Sequence, residues 1–324
     1  MSTDVSSGAE TKAPPPLHLG EAPTVGLKHP SRWIAVLVVF VLAAMAVHSA
    51  ITNPNFRWDL VGDYFWAAPI MDGLRVTLTL TVICMAIGLV LGTALALMRL
   101  SPNPVLRSAA FGYVWLLRGV PLLVQLIVWY NLSALYPRLS LGIPFGPEFV
   151  SFESNHVITA YTAAILGLGL NQAAYMAEII RAGLQSVDEG QLEAASALGM
   201  GRLRTMMTVV LPQAMRVILP PTGNETITML KQTSLVSVVA VADLLYSTQL
   251  IYAKNFQTIP LLIMACIWYL IIISLLSVGQ YYLERHFKRG SSRQQHKSLW
   301  QHLRRTAALR RDTSALGTEG STPR

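Results

Sequence analysis

The sequence predicts an all-α, multi-pass membrane bundle of six spans, and three observations carry that prediction. Of 324 residues, 52% are hydrophobic and only 13% are charged, where a soluble domain carries about a quarter charged residues. Mean hydropathy is +0.45. Six apolar runs occur, each near the roughly 20 residues a helix needs to cross a hydrocarbon core. Gly, Ala, Ser and Thr recur inside these runs, as in "AIGLVLGTALAL". Small residues let helices approach closely where packing, not hydrophobicity, drives association.

The elements follow in order. Residues 1–31 are rich in Ser, Thr, Gly and Pro and include "APPPLHLG". Such a stretch cannot bury a core and is expected to be a disordered cytoplasmic leader. A secretory signal would begin its apolar core much earlier. The spans are expected at Trp33–Ala50 (an N-terminal helix within 32–51), Leu74–Met98, Leu106–Leu132, Val157–Ala182, Met206–Gln232 and Ile259–Tyr282. A basic tail, 288–324, closes the chain. From Glu284 to Arg324 there are ten Lys/Arg against three acids. That charge fits a cytoplasmic tail under the positive-inside bias, with anionic lipid as a contact; nucleic acid is the weaker alternative and is not expected.

Orientation follows from the Lys/Arg distribution. Arg99 and Arg107 lie between spans two and three, and Arg181, Arg202 and Arg204 between four and five. The alternate loops are poorer in basic residues. Both termini are therefore expected in the cytoplasm. Trp58, Trp66, Trp129 and Tyr130 suit the opposite interface, where aromatic rings sit at headgroup depth.

Polar residues interrupt two spans. Span four carries Glu178 with Arg181 three residues on, a spacing that lets them meet on one helical face. Span five reads "LPQAMRVILPPTGNETITMLKQTSL", with Pro220, Pro221, Asn224, Glu225, Lys231, Thr233 and Ser234. A central charge in lipid costs about 2.5–3.5 kcal/mol on insertion scales, so this segment is expected to face protein or water. Two readings stay open for these groups. Glu178 and Arg181 form an interfacial ion pair, or they line a translocation path. Asn224 and Glu225 satisfy backbone freed by the prolines, or they line that path with Lys231, Thr233 and Ser234.

Catalytic signatures are missing from the sequence. There is no G-x-x-x-x-G-K-[ST] phosphate loop, no H-E-x-x-H and no Cys/His cluster at metal-ligand spacing. Cys84 and Cys266 sit in apolar runs, which argues against a disulfide framework.

Between spans four and five lies "EGQLEAASALGMGRLRT", Glu189–Thr205, a polar and alanine-rich stretch. Glu193, Ala194, Ala195, Ala197 and Leu198 favour a helix. Small alanines permit close approach to a partner surface, and Gly199 can take the positive φ of a helix end.

This stretch, extended as "GQLEAASALGMGRLRTMMTVVLPQAMR", resembles the cytoplasmic loop of permease subunits of ATP-binding-cassette (ABC) importers. With "RGVPLLVQLIVWYN", "AAYMAEIIRAGLQSVDEGQLEAASALG" and "NETITMLKQTSLVSVV", the chain resembles the polar amino acid uptake branch, of the histidine, glutamine, glutamate and arginine type. The resemblance covers residues 73–287 and implies a five-span type I importer core in a bacterial inner membrane. It also implies a second permease subunit, identical or paralogous, a cytoplasmic ATPase dimer, and a periplasmic or extracellular solute-binding protein. The loop residues Glu189, Gly190, Glu193, Ala194, Ala195, Leu198 and Gly199 would dock on the ATPase. ATP and Mg would be used by that partner, so this chain would be no enzyme and would carry no cofactor or metal of its own. The leader, span one, the basic tail and Gln232, where many relatives carry an acid, depart from the pattern. Rival readings are a permease for an opine, cystine or similar derivative, a non-transporting membrane anchor, and an intramembrane enzyme. The polar content of spans four and five weighs against an anchor, and the missing catalytic constellation against an enzyme.

Overall fold

The computed structural model describes residues 30–143 and 148–288. The expected leader, apart from its last two residues, and the tail from residue 289 lie outside them. The chain divides into two compact units after Phe56. The first holds α1 (Pro30–Thr52), apolar on every side, and a 3-10 turn at Pro54–Phe56.

The second unit begins with α2 (Trp58–Phe65) and α3 (Ala68–Arg99). Pro69 stands in the first turn of α3, where its missing N–H is no loss. Next come α4 (Pro104–Gly119) and α5 (Leu122–Tyr130). Asn103 caps α4 by accepting from the Val105 amide at 2.9 Å. The expected span Leu106–Leu132 is not a straight helix: the chain bends by 100° between α4 and α5. Pro121 lacks an amide hydrogen and forces Val120 into an extended conformation, ψ 133°. The freed carbonyls find other donors. Gln125 donates to the Leu117 and Val120 carbonyls, both at 2.8 Å, and Asn171 donates to Leu117 at 2.8 Å.

A short turn, α6 (Leu132–Leu135), leads to β1 (Arg138–Gly142) and β2 (Glu148–Glu153), an antiparallel pair with Arg138 opposite Glu153. This hairpin is a second departure from a purely helical chain. One more turn, α7 (Ser154–Val157), precedes α8 (Ala160–Gln185), which Thr159 caps. The rest of the unit is α9 (Glu189–Ala197), α10 (Arg202–Thr205), a π-helical turn (Met206–Val210), α11 (Leu211–Gln232), a 3-10 stretch (Thr233–Val239), α12 (Leu244–Asn255) and α13 (Thr258–Lys288).

Among the described residues four helices are long and apolar enough to cross a membrane, and the number reaches six if each of two bent pairs is one span. The second bent pair, Arg202–Val239 with Leu244–Asn255, turns by 45°. Ala240 takes φ 58° at this break, and Asp243 caps α12 by accepting from the Tyr246 amide at 2.8 Å.

Helices α3 and α8 form the most extensive pairing in the bundle. The sequence places Gly88 and Gly92 four residues apart on α3, and α8 presses on both. A Cβ at Gly88 would stand 2.6 Å from Gln172 Cγ, and one at Gly92 2.6 Å from Met176 Cβ. Filling either position is overpacking, which costs roughly 1–3 kcal/mol. Leu80, Cys84, Leu126, Leu168, Met229 and Val236 build the central core from α3, α5, α8, α11 and the 3-10 stretch. A second cluster, Val61, Ile70, Leu244, Leu261, Met264 and Trp268, ties α2 and α3 to α12 and α13. Trp268 stacks on Phe65 at 4.6 Å and donates its indole N–H to the Phe65 carbonyl at 3.0 Å.

Candidate functional site

The polar interruption between α8 and α11 folds as a capped helical corner. Asp188 starts α9: its carboxylate accepts from the Gly190 amide at 2.7 Å. Glu189 lies in the first turn, where a negative charge complements the helix dipole. The exit is equally defined. Gly199 takes φ 70°, its amide donates to the Ser196 carbonyl at 3.0 Å, and the Met200 amide donates to Ala195 at 3.0 Å. That pair of bonds is the Schellman stop, which requires a left-handed residue where Gly199 stands. The positive φ expected from the sequence is therefore present.

Orientation within α9 differs from expectation at one residue. Ala195, read from the sequence as part of a partner-facing surface, is only 3% exposed. Helix α9 packs on the π-helical turn of its own chain, and Ala195 is its single buried residue. Glu189, Gly190, Glu193, Ala194 and Leu198 are exposed instead. Leu198 is 81% and Leu203 78% exposed.

Glu178 is held by two arginines. Its carboxylate meets Arg181 at 2.7 Å and Arg99 at 3.2 Å, and Arg181 also reaches Gln185. Arg99 stands over the Phe111 ring, 5.1 Å from its centroid. The three charged side chains are 17–28% exposed. This network fastens the end of α3 to α8 and engages both carboxylate oxygens, which supports the ion-pair reading of Glu178. Arg99 was missed as a partner because 79 residues separate it from Glu178 in the sequence.

The polar run of α11 does not converge on one point. Asn224 accepts from Gln280 of α13 at 3.0 Å, and Gln280 also donates to the Pro220 carbonyl at 3.3 Å. The helix continues through Pro220 and Pro221 with this support. Glu225 faces α8, where the buried Gln172 donates to its carboxylate at 3.4 Å. Lys231 is exposed. Thr233, expected on a path, is fully buried and donates to the Leu230 carbonyl at 2.7 Å. Ser234 is half-buried and donates to the Lys231 carbonyl at 2.7 Å. Thr233 is thus a core residue of this chain, while Glu225 with Gln172 is a polar pair between α8 and α11.

A cavity of about 550 Å³ opens between α3 and α12, with Asp72, Gly73, Val76, Ser247 and Lys254 on its walls. Asp72 is paired with Arg75 at 3.0 Å. Among the described residues no group of three or more His, Cys, Asp or Glu could hold a metal ion. The described residues thus form a capped corner, a polar seam and an open cavity.

Comparison with known proteins agrees with this architecture. Residues 88–289 match the family described as binding-protein-dependent transport system inner membrane component. The arginine transport system permease protein ArgU of Corynebacterium glutamicum is 44% identical over 288 residues, 88% of this chain and 88% of that one. That alignment is longer than the core expected at 73–287, so the likeness extends into the flanking segments. The L-cystine transport system permease protein TcyB of Bacillus subtilis is 38% identical over 72% of this chain and 92% of its own length. A crystal structure of an amino acid ABC transporter with histidines superposes with a TM-score of 0.59 and 36% identity, over 68% of this chain and 95% of that one.

Proposed function

The chain belongs to the binding-protein-dependent transport system inner membrane component family, and we propose that it is the permease subunit of an ATP-driven importer for a polar amino acid. The observation that carries the coupling role is the α9 corner: a capped, rigid helix with Leu198 and Leu203 open beside it. A rigid lever transmits the movement of a partner into the spans it joins, here α8 and α11. In this reading a cytoplasmic ATPase dimer docks on Glu189, Gly190, Glu193, Ala194, Leu198 and Gly199, and uses the ATP and Mg. Ala195 holds the corner to its own chain. Both termini lie in the cytoplasm of a bacterial inner membrane. A second permease copy or paralogue completes the membrane unit, and a solute-binding protein delivers the substrate on the other side. Residues 73–287 form the transport core, with α1 an addition to it.

Glu225 and Gln172 supply the polar seam of the path, while Glu178 with Arg99 and Arg181 braces its frame. Arginine is the first substrate to test, because the relative that matches the greatest share of this chain among those described carries that name. Cystine and opines are the alternatives, in keeping with the second relative and the nopaline permease protein NocM of Agrobacterium fabrum. The test is uptake of radiolabelled arginine into proteoliposomes holding the whole transporter, with loaded binding protein outside and ATP inside. ATP-dependent accumulation supports the reading; uptake of cystine or an opine in its place moves the substrate assignment; and no uptake of any of them, with ATPase bound, removes it.

A further inference from the structure

We propose that the groove between the start of α11 and the end of α13 is a binding site for an anionic phospholipid headgroup. The groove has a volume of about 430 Å³ and is lined by Leu211, Pro212, Met215, Arg216, His286 and Phe287. Its chemistry is divided. Arg216 and His286 bring the basic groups, and Leu211, Met215 and Phe287 bring apolar walls. Arg216 is exposed and has no hydrogen-bond or ion-pair partner among the described residues.

The depth suits a headgroup. Thr258–Val278 of α13 is the apolar stretch, and at 1.5 Å per residue it spans about 30 Å, the thickness of a hydrocarbon core. Just beyond it stand Tyr281 and Tyr282, 61% and 62% exposed. Aromatic rings at this level mark the membrane–water interface. His286 follows one turn later, on the polar side of that belt, and the groove brings Arg216 to the same level. A phosphodiester there meets a guanidinium, which binds phosphate with two parallel donors. The glycerol and first methylenes of the lipid then cover the apolar walls, which a free phosphate or nucleotide would leave wet.

The surrounding charge has the right sign. Arg285 is the immediate neighbour of His286, and among the described residues Glu284 is the one acid on that turn, engaged by Gln280 at 3.0 Å. Basic pockets between helices at the membrane surface select anionic headgroups in this way. The site depends on membrane placement alone and not on coupling to an ATPase.

The experiment is native mass spectrometry of the full-length chain released from nanodiscs of phosphatidylethanolamine and phosphatidylglycerol. Wild-type protein should retain phosphatidylglycerol in preference. Arg216→Gln should lower that retention roughly fivefold, the effect of one basic residue at the surface. Arg216→Lys should keep most of it, and the melting temperature in phosphatidylethanolamine alone should not change, because Arg216 is exposed. A full-length chain with the Lys and Arg of residues 289–324 changed to Gln should bind as wild type. Three results overturn the proposal: an Arg216→Gln, His286→Gln chain that retains phosphatidylglycerol normally; retention that vanishes when only the tail is neutralised; or displacement of the lipid by millimolar inorganic phosphate, which would make this a site for a free anion.

Discussion

Glu178 illustrates how one residue separates a structural role from a transport role. It serves two arginines at once, 2.7 and 3.2 Å away. Removing its charge leaves both guanidiniums without their partner at about one-fifth exposure. Breaking a buried pair costs about 3–5 kcal/mol and breaking an exposed one about 0–1. At this intermediate burial Glu178→Gln should destabilise the protein by roughly 1–3 kcal/mol. Arg181→Gln should cost less, since Arg99 still holds the carboxylate. Thermal unfolding of the purified protein measures both. A Glu178→Gln protein with unchanged stability and abolished uptake would return this residue to the path. Glu225 should behave in the opposite way. Its amide isostere keeps a contact with Gln172, so stability should stay within about 0.5 kcal/mol, while uptake by Glu225→Gln falls several-fold. Normal uptake by that variant would remove Glu225 from the path.

At the scale of elements, the break between α4 and α5 is held by side chains, and it predicts its own weak point. Gln125→Leu removes the donor to Val120 and one of two donors to Leu117. Asn171 still serves Leu117, so one carbonyl is orphaned. An unsatisfied buried carbonyl costs about 1–3 kcal/mol; Val120 is half-buried and the change also removes the unpartnered Gln125 Oε1, so unfolding of the variant should show a loss at the low end, about 1 kcal/mol. An unchanged melting temperature would mean that another group satisfies Val120. The corner after α9 makes a second case. Gly199→Val puts a β-branched residue at φ 70°, where the left-handed conformation costs roughly 1–2 kcal/mol; Gly199→Asn should be clearly milder, and equal effects of the two would argue against the positive-φ requirement.

These elements also mark what the sequence made legible. The spans could be read because each needs about 20 apolar residues, and α9 because Glu193, the alanines and Gly199 are local signals. The bend at Pro121 was visible only as a proline within a long apolar run, and hydropathy ran straight through it. The strands Arg138–Gly142 and Glu148–Glu153 are short, and hydropathy that finds membrane helices passes over a loop hairpin. Residues such as Phe149, Val150 and Phe152 beside "GIPFGP" were the available strand signal. The inward turn of Ala195 depended on where α9 lands on the π-helical turn, and no local pattern encodes that. Thr233 was read as path lining for a related reason: polarity inside a span shows that a residue avoids lipid, not which protein surface receives it.

For the whole molecule, the division after Phe56 leads to an expectation about α1. A chain lacking residues 1–56 should insert and support uptake at a reduced level, because the polar seam, the α9 corner and both core clusters lie beyond that point. Complete loss of uptake with normal insertion and assembly would make α1 part of the transport core. The central claim is that the α9 corner couples this chain to an ATPase, and the burial pattern chooses the variant that tests it. Ala194 is exposed and Ala195 is not. Ala195→Arg would damage the corner from within, whereas Ala194→Arg places a long charged side chain on the docking face and leaves the fold intact. The direct measurement is ATP hydrolysis by the reconstituted transporter, with and without substrate-loaded binding protein, for wild type and Ala194→Arg at matched melting temperature. Ala194→Arg should lose ATPase association or substrate-stimulated hydrolysis while membrane insertion and binding-protein docking persist. Normal association, hydrolysis and transport by Ala194→Arg, with Leu198→Arg behaving the same way, would contradict it.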